Sequence, residues 1–238
     1  MNHPEIDAVI QRYARRNDRG RYDSRLPEVQ QMSIERRGAI GRVFADLGWH
    51  DLSSCTALEV GCSGGSNLAD LVTMGFSEQR LTGIELRPEL LTLARQKLPN
   101  ACLIAGDACE VPIGPKSQDV ILQFTVFSSL LDEEFRHRLA TAMWRWLRPG
   151  GGILWYDFTI NNPFNPDVRG ISLKSIPNLF PAGRIKNRRI TLAPPLARIV
   201  CRVHPALYSV LNALPLLRTH VLSWIEKPDD ISLRVHPP

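Results

Sequence analysis

The spacing of apolar positions changes near residue 50. Before it, Ile6 to Tyr13 has a short helical pattern, and Val29 to Leu47 carries Met32, Ile34, Ile40, Val43, Phe44 and Leu47 as an imperfect helical stripe that stops at Gly48. After it, short apolar runs alternate with helical ones. Ala57 to Val60, Leu81 to Leu86, Ala101 to Ile104, Asp119 to Phe124 and Ile153 to Phe158 read as strands. Asn67 to Met74, Pro88 to Leu98 (Leu90, Leu91 and Leu93 as its apolar members) and Asp132 to Leu147 read as helices. This alternation predicts βαβ units and a mainly parallel sheet. Beyond Thr159 the chain turns irregular, with two more strand candidates, Arg189 to Leu192 and Val221 to Glu226. Between them Leu196 to Leu217 is an apolar, proline-punctuated insertion of helical character. The expected organisation is a helical N-terminal arm over 1–50 and an α/β domain over 51–238, with a lid inserted at about 194–218.

Composition narrows the function classes. The 238 residues are 44% hydrophobic and 22% charged, ordinary for a globular protein with a sizeable core. A net charge of +5 permits an acidic partner, but no consecutive run of Lys or Arg with interleaved aromatics suggests a nucleic-acid surface. Five cysteines, Cys55, Cys62, Cys102, Cys109 and Cys201, include no C-x-x-C pair, so neither a disulfide framework nor a zinc site is expected. The first twenty residues lack the apolar run of a signal peptide, and no stretch has the length of a membrane span. A cytoplasmic protein is expected.

The candidate chemistry begins at Leu58-Glu59-Val60-Gly61-Cys62-Ser63-Gly64-Gly65, an apolar strand that breaks into small residues before a helix. Such a turn lets a ligand approach the main chain and offers it unpaired helix N–H groups. Glu85 ends the second strand, Gly106-Asp107-Ala108 follows the third, and Gln123 to Thr125 closes the fourth. In a parallel sheet these strand ends gather at one edge, where ligands bind, and an acidic residue about twenty positions beyond the turn can hold a ribose. The G-x-G-x-x-G spacing of dinucleotide folds is missing.

In order, Leu58-Glu59-Val60-Gly61-Cys62, Gly83-Ile84-Glu85, Gly106-Asp107-Ala108 and Leu147-Arg148-Pro149-Gly150-Gly151 resemble the class I S-adenosylmethionine-dependent methyltransferases over roughly residues 55–160. The segments Thr125 to Asp132, Trp155 to Phe158 and Asn162 to Gly170 are similar to bacterial small-molecule and glycoconjugate methyltransferases. The resemblance implies a doubly wound, Rossmann-like, mostly parallel seven-stranded sheet with helices on both faces and an antiparallel last strand. It implies S-adenosyl-L-methionine as cofactor and S-adenosyl-L-homocysteine as product. Glu59 would sit near the methionine amino group, with the Gly61, Cys62, Ser63 and Gly64 backbone along the methionine and ribose. Glu85 would hold the ribose hydroxyls, Leu86 would pack on the adenine, Asp107 and the Ala108 amide would read its edge, and Gln123 and Thr125 would line the methyl side. Ser63 departs from the pattern, since many relatives have glycine there.

The acceptor expected is a small molecule, glycan or lipid-linked hydroxyl, with an RNA or protein acceptor, or a non-catalytic cofactor-binding protein, as alternatives. Asp157, after the fifth strand, is the foremost candidate base, ahead of Tyr156, Asp132 and His137. His137 also reads as a solvated helix residue, and Trp144, Trp146 and Trp155 read as packing residues. Arg15 to Tyr22 reads as a solvated loop or as a flap in which Tyr13 or Tyr22 closes over the cofactor. Between Val168 and Ile225 the basic residues Arg169, Lys174, Arg184, Lys186, Arg188, Arg189, Arg198, Arg202 and Arg218 face no Asp or Glu. With the apolar insertion beside them they suggest an anionic or lipid-linked acceptor and allow a peripheral membrane contact.

Overall fold

The computed structural model describes residues 3–15, 20, 23–162 and 165–229. Most of the Arg15 to Tyr22 segment, Tyr22 included, lies outside the described residues. Helices α1 (Pro4–Arg15) and α2 (Pro27–Asp46) precede the sheet, α2 opening on a proline that suits the first helical turn. Strands β1 (Ala57–Val60), β2 (Leu81–Glu85), β3 (Cys102–Ala105), β4 (Gln118–Phe124) and β5 (Leu147–Phe158) follow, linked through α3 (Ser66–Thr73), α4 (Pro88–Lys97) and α5 (Glu133–Trp146). Asp132 caps α5 by accepting the Phe135 N–H at 2.8 Å. The last part holds α6 (Ile176–Leu179), β6 (Arg184–Leu192), α7 (Pro194–Val203), α8 (Ala206–Asn212) and β7 (Arg218–Glu226).

The seven strands run in the order β3-β2-β1-β4-β5-β7-β6, with β1 to β5 parallel and β7 antiparallel to both neighbours. This is the expected architecture, and it puts the C-terminal ends of β1, β2, β4 and β5 at one edge. One core lies under α5 and α1, with Phe127, Trp146 and Trp155 wholly buried; a second lies under α2, α3 and α4, and a third, smaller one joins Leu192 to Ala197, Val200, Cys201 and Tyr208 of α7 and α8. Trp146 and Trp155 are thus packing residues.

Several boundaries differ from the sequence reading. β5 begins at Leu147, so Arg148-Pro149-Gly150-Gly151-Gly152 is strand with a register shift, not a loop before Ile153. β6 and β7 start earlier than expected because their polar first residues still pair along the edge. Ile34 and Leu93, assigned to apolar stripes, are 52% and 50% exposed. Among the described residues no helix is long and apolar enough to cross a membrane.

Candidate cofactor and acceptor site

The glycine turn is held by the strand beside it. The N–H groups of Gly61 and Cys62 both donate to the Ile84 carbonyl, at 2.8 and 3.0 Å. Gly61 has φ 68°, and a Cβ there would come within 2.7 Å of Val126. A Cβ on Gly83 would meet the Cys62 sulfur at 2.7 Å, so this glycine makes room for the buried Cys62. Burial pushes the Cys62 thiol pKa up, which leaves it a packing group rather than a nucleophile.

Glu85 closes the turn. Its carboxylate accepts the Ser63 N–H at 2.8 Å and the Arg87 N–H at 3.0 Å, and the Arg87 guanidinium stands 3.7 Å away. The bond to Ser63 compensates for a left-handed backbone, φ 48°, that glycine adopts more readily. Glu59 lies deeper and is wholly buried. One oxygen accepts from the Asn67 amide at 2.6 Å; the other has no partner among the described residues. Burial raises its pKa to about 8, while the Asn67 bond and the charge of Arg36 pull it back.

The other predicted cofactor residues gather at the same strand ends. Asp107 uses one oxygen to accept its own Cys109 N–H at 2.8 Å, an Asx turn that fixes the loop after β3, and Ala108 is buried beside it. Leu86 packs half-buried against the core under α5. Gln123 is buried, its side-chain oxygen facing the Val126 and Phe127 amides at 3.2 and 3.4 Å and its nitrogen unpartnered among the described residues. Thr125 has φ 59° and donates to the Tyr156 carbonyl through its N–H at 2.7 Å.

Asp157 is less open than its place at a strand end suggests. It is wholly buried, with its oxygens accepting the N–H groups of Ser128 at 3.1 Å and Phe158 at 3.0 Å. Burial raises its pKa to about 7. Asp157 therefore braces the turn after β4 from below. Strand alternation puts its neighbours Tyr156 and Phe158 on the opposite face. There Phe124 and Tyr156 meet edge to face at 5.6 Å, and His220 stacks on Tyr156 at 5.0 Å. Burial, followed by the charge of Arg36, lowers the His220 pKa to about 4, so its imidazole is neutral. Asp132 is spent as a helix cap, and His137 lies on α5, where it lines a shallow pocket with Cys109, Glu134 and Arg145.

Two contributors carry no motif. Arg36 of α2 lies 5.3 Å from the Phe124 ring centroid and 5.4 Å from that of Tyr156, and donates to Asn67 at 2.8 Å. It thus joins the aromatic wall to Glu59. The only sequence signal was a polar interruption, Glu35-Arg36-Arg37, in an imperfect stripe. From α1, Tyr13 places its ring 4.6 Å from the Arg87 guanidinium. α1 is itself docked at the sheet edge, since Glu5 accepts the Leu131 N–H at 2.6 Å and Arg12 donates to the Ser129 carbonyl at 3.1 Å.

Residues 57–151 match a family model described as a methyltransferase domain. No curated protein matches the chain. Among solved structures, a 1,6-didemethyltoxoflavin-N1-methyltransferase from Burkholderia thailandensis, with 1,6-didemethyltoxoflavin and S-adenosylhomocysteine bound, is 18% identical with a TM-score of 0.62, covering 96% of this chain and 92% of that one. A Thermotoga maritima S-adenosylmethionine-dependent methyltransferase, described as a possible histamine N-methyltransferase, is 15% identical with a TM-score of 0.59, covering 92% and 98%. A Methanosarcina mazei S-adenosylmethionine-dependent methyltransferase is 14% identical with a TM-score of 0.55, covering 79% and 98%. At these identities the likeness is one of fold.

Proposed function

We propose that this chain, whose residues 57–151 match a methyltransferase-domain family, is a class I S-adenosylmethionine-dependent methyltransferase that binds S-adenosylmethionine at the Gly61–Gly65 turn and methylates a small-molecule acceptor. The observation that carries the reading is the Glu85 carboxylate, anchored by the Ser63 and Arg87 amides at the ends of β1 and β2. The residues fit the cofactor on two further counts: Glu59 holds a buried oxygen with no partner among the described residues, and nothing lies within 4 Å of where a Gly106 Cβ would sit. A cationic amino group would satisfy Glu59 and draw it into its ionised form. Glu85 would take the ribose hydroxyls, Leu86 and Ala108 would border the adenine, and Asp107 would present its remaining oxygen to the adenine edge. Gln123 and Thr125 would line the methyl side.

The bound sulfonium supplies an electrophilic methyl group, so the protein's task is orientation and the exclusion of water. Phe124, Tyr156, Phe158 and His220 offer a largely aromatic wall for a flat acceptor, with Arg36 behind it to favour an anionic group. Tyr13, against Arg87, closes the adenine and ribose end as a flap. A hydroxyl acceptor is our first reading, and its proton would have to leave to a base; His220 on the wall is neutral but, with a pKa lowered to about 4 and Nδ1 beside the Thr219 hydroxyl, only a weak one. A nitrogen acceptor is the second: a free amine lone pair needs no base before attack, and Asp157 has both oxygens on main-chain donors.

Calorimetry with S-adenosylmethionine and S-adenosylhomocysteine tests the cofactor reading. Wild type should bind both, and Glu85→Ala should weaken binding by about 2 kcal/mol, or roughly thirtyfold. Absence of binding to wild type would overturn it. Labelled S-adenosylmethionine with a fractionated extract identifies the acceptor class, and mass spectrometry of the product separates oxygen from nitrogen methylation.

A further inference from the structure

Helix α8 is built inside out. Its inward face carries Tyr208 and Asn212, which donate to the Glu35 carboxylate of α2 at 2.7 and 2.6 Å. Its outward face carries Leu207 and Val210, and the chain continues into Leu214 and Leu216, the last 96% exposed. On α7, the helix that packs against α8, Ile199 and Val203 are also exposed, at 62% and 76%. Six large exposed apolar side chains between Ile199 and Leu216 are more than scattered surface residues, and such a concentration marks an interaction site.

The charge around the surface selects the partner. From Val168 to Ile225 the chain holds nine Arg and Lys and no Asp or Glu. Arg202 is exposed on α7, and Arg188 is exposed on the adjoining edge strand β6, on the face shared with Ile190 and Leu192 that the insertion covers. A second copy docking through this face would bring like charges together, which is unfavourable. An anionic bilayer offers the complement, with acyl chains for the apolar ridge and negative headgroups for the arginines.

The geometry points to docking of the α7–α8 insertion onto an anionic lipid surface. The insertion leaves β6 at Leu192 and enters β7 at Arg218, beside the register pair Phe158 and His220. Docking would therefore bring the candidate acceptor wall toward the membrane. The surface stands independently of the cofactor reading, because none of its residues lies in the cradle.

Flotation of the full chain with phosphatidylcholine vesicles, with and without a third of phosphatidylglycerol, tests it. Wild type should float with the phosphatidylglycerol vesicles and be released by high salt. Leu207→Glu with Val210→Glu should weaken vesicle binding about tenfold or more, and Arg202→Glu severalfold, both with unchanged melting temperature and unchanged S-adenosylmethionine binding. Because these side chains face outward, loss of folding is not the expected route. No flotation of wild type, equal flotation with pure phosphatidylcholine, or a concentration-dependent dimer in light scattering that the double variant abolishes would each overturn the proposal.

Discussion

The cofactor cradle and the α7–α8 insertion are both tied down by a glutamate, but the ties differ in reach. In the cradle, Glu85 accepts main-chain donors 22 and 2 positions away, so two strands and their turns complete the unit. At the insertion, the donors to Glu35 are the Thr191 N–H near the end of β6 and the Tyr208 hydroxyl and Asn212 amide of α8, 156 to 177 positions away. The cradle is local, whereas the insertion borrows its anchor from a helix that precedes the sheet. Glu35 and Arg36 are neighbours on α2, about 100° apart around its axis. One faces the insertion and the other faces Asn67 and the aromatic wall. The two regions therefore meet at a single helical turn.

Cutting that anchor gives the largest expected effect. Glu35→Ala strands three donors at once and should destabilise the protein by about 3 kcal/mol. Urea denaturation measures the loss, and hydrogen exchange locates it. Residues 191–217 should exchange faster while the β1 to β3 amides keep their protection. Glu35→Gln, which keeps an accepting oxygen, should lose less. If Glu35→Ala loses stability with no added exchange in 191–217, the insertion does not depend on α2 and the contrast with the cradle fails.

The same contrast explains what could be read in the sequence. The place of the candidate cradle is legible because strand, glycine turn, helix and acidic strand end follow one another within a few dozen residues, so order alone brings Glu59, Glu85 and Asp107 to neighbouring strands of the parallel sheet. The insertion was legible only as apolar and helical. Composition does not say which face of a helix looks outward, so the burial of Tyr208 and Asn212 beneath an exposed Leu207 and Val210 had no signature. Arg36 and Glu35 were hidden for a related reason, their partners lying on distant elements. For Asp157, proximity to the binding edge was readable, but alternation along β5 turned it under the turn rather than onto the wall.

A middle-sized effect comes from Glu59, which makes the cradle sensitive to pH where the insertion should not be. Its pKa is raised from 4.5 to about 8 in the folded protein. Between those values the folded chain holds a proton that the unfolded chain has lost, so this group's contribution to stability falls as pH rises through that window. A cation that needs the carboxylate must displace the proton. S-adenosylmethionine affinity should therefore rise toward pH 8 by up to about tenfold per pH unit and then level. Calorimetry across this range in buffers of different ionisation enthalpy reads both the affinity and the released proton. Glu59→Gln should bind weakly and lose the slope. Vesicle binding should not follow this curve, and if it does, the two regions are coupled more tightly than the Glu35 and Arg36 contacts imply.

The smallest effect separates backbone from side chain inside the cradle. Ser63 holds φ 48° with an exposed side chain whose hydroxyl has no protein partner among the described residues. A left-handed conformation costs a non-glycine residue about 1–2 kcal/mol, and glycine gives back part of that through its larger unfolded-state entropy. Ser63→Gly should therefore stabilise the protein by about 0.5 kcal/mol, a shift of one or two degrees in melting temperature at about this chain length. Ser63→Ala keeps the strained backbone and should not stabilise. Calorimetric affinity then divides the roles of Ser63. If only the Ser63 N–H matters, through its bond to Glu85, both variants bind S-adenosylmethionine as wild type does. If both bind several times more weakly, the hydroxyl touches the cofactor, and the departure from glycine is a ligand contact that offsets its strain. A Ser63→Gly protein no more stable than wild type would mean that the Glu85 bond already absorbs the strain, and the cradle would be still more self-contained than its short contact range implies.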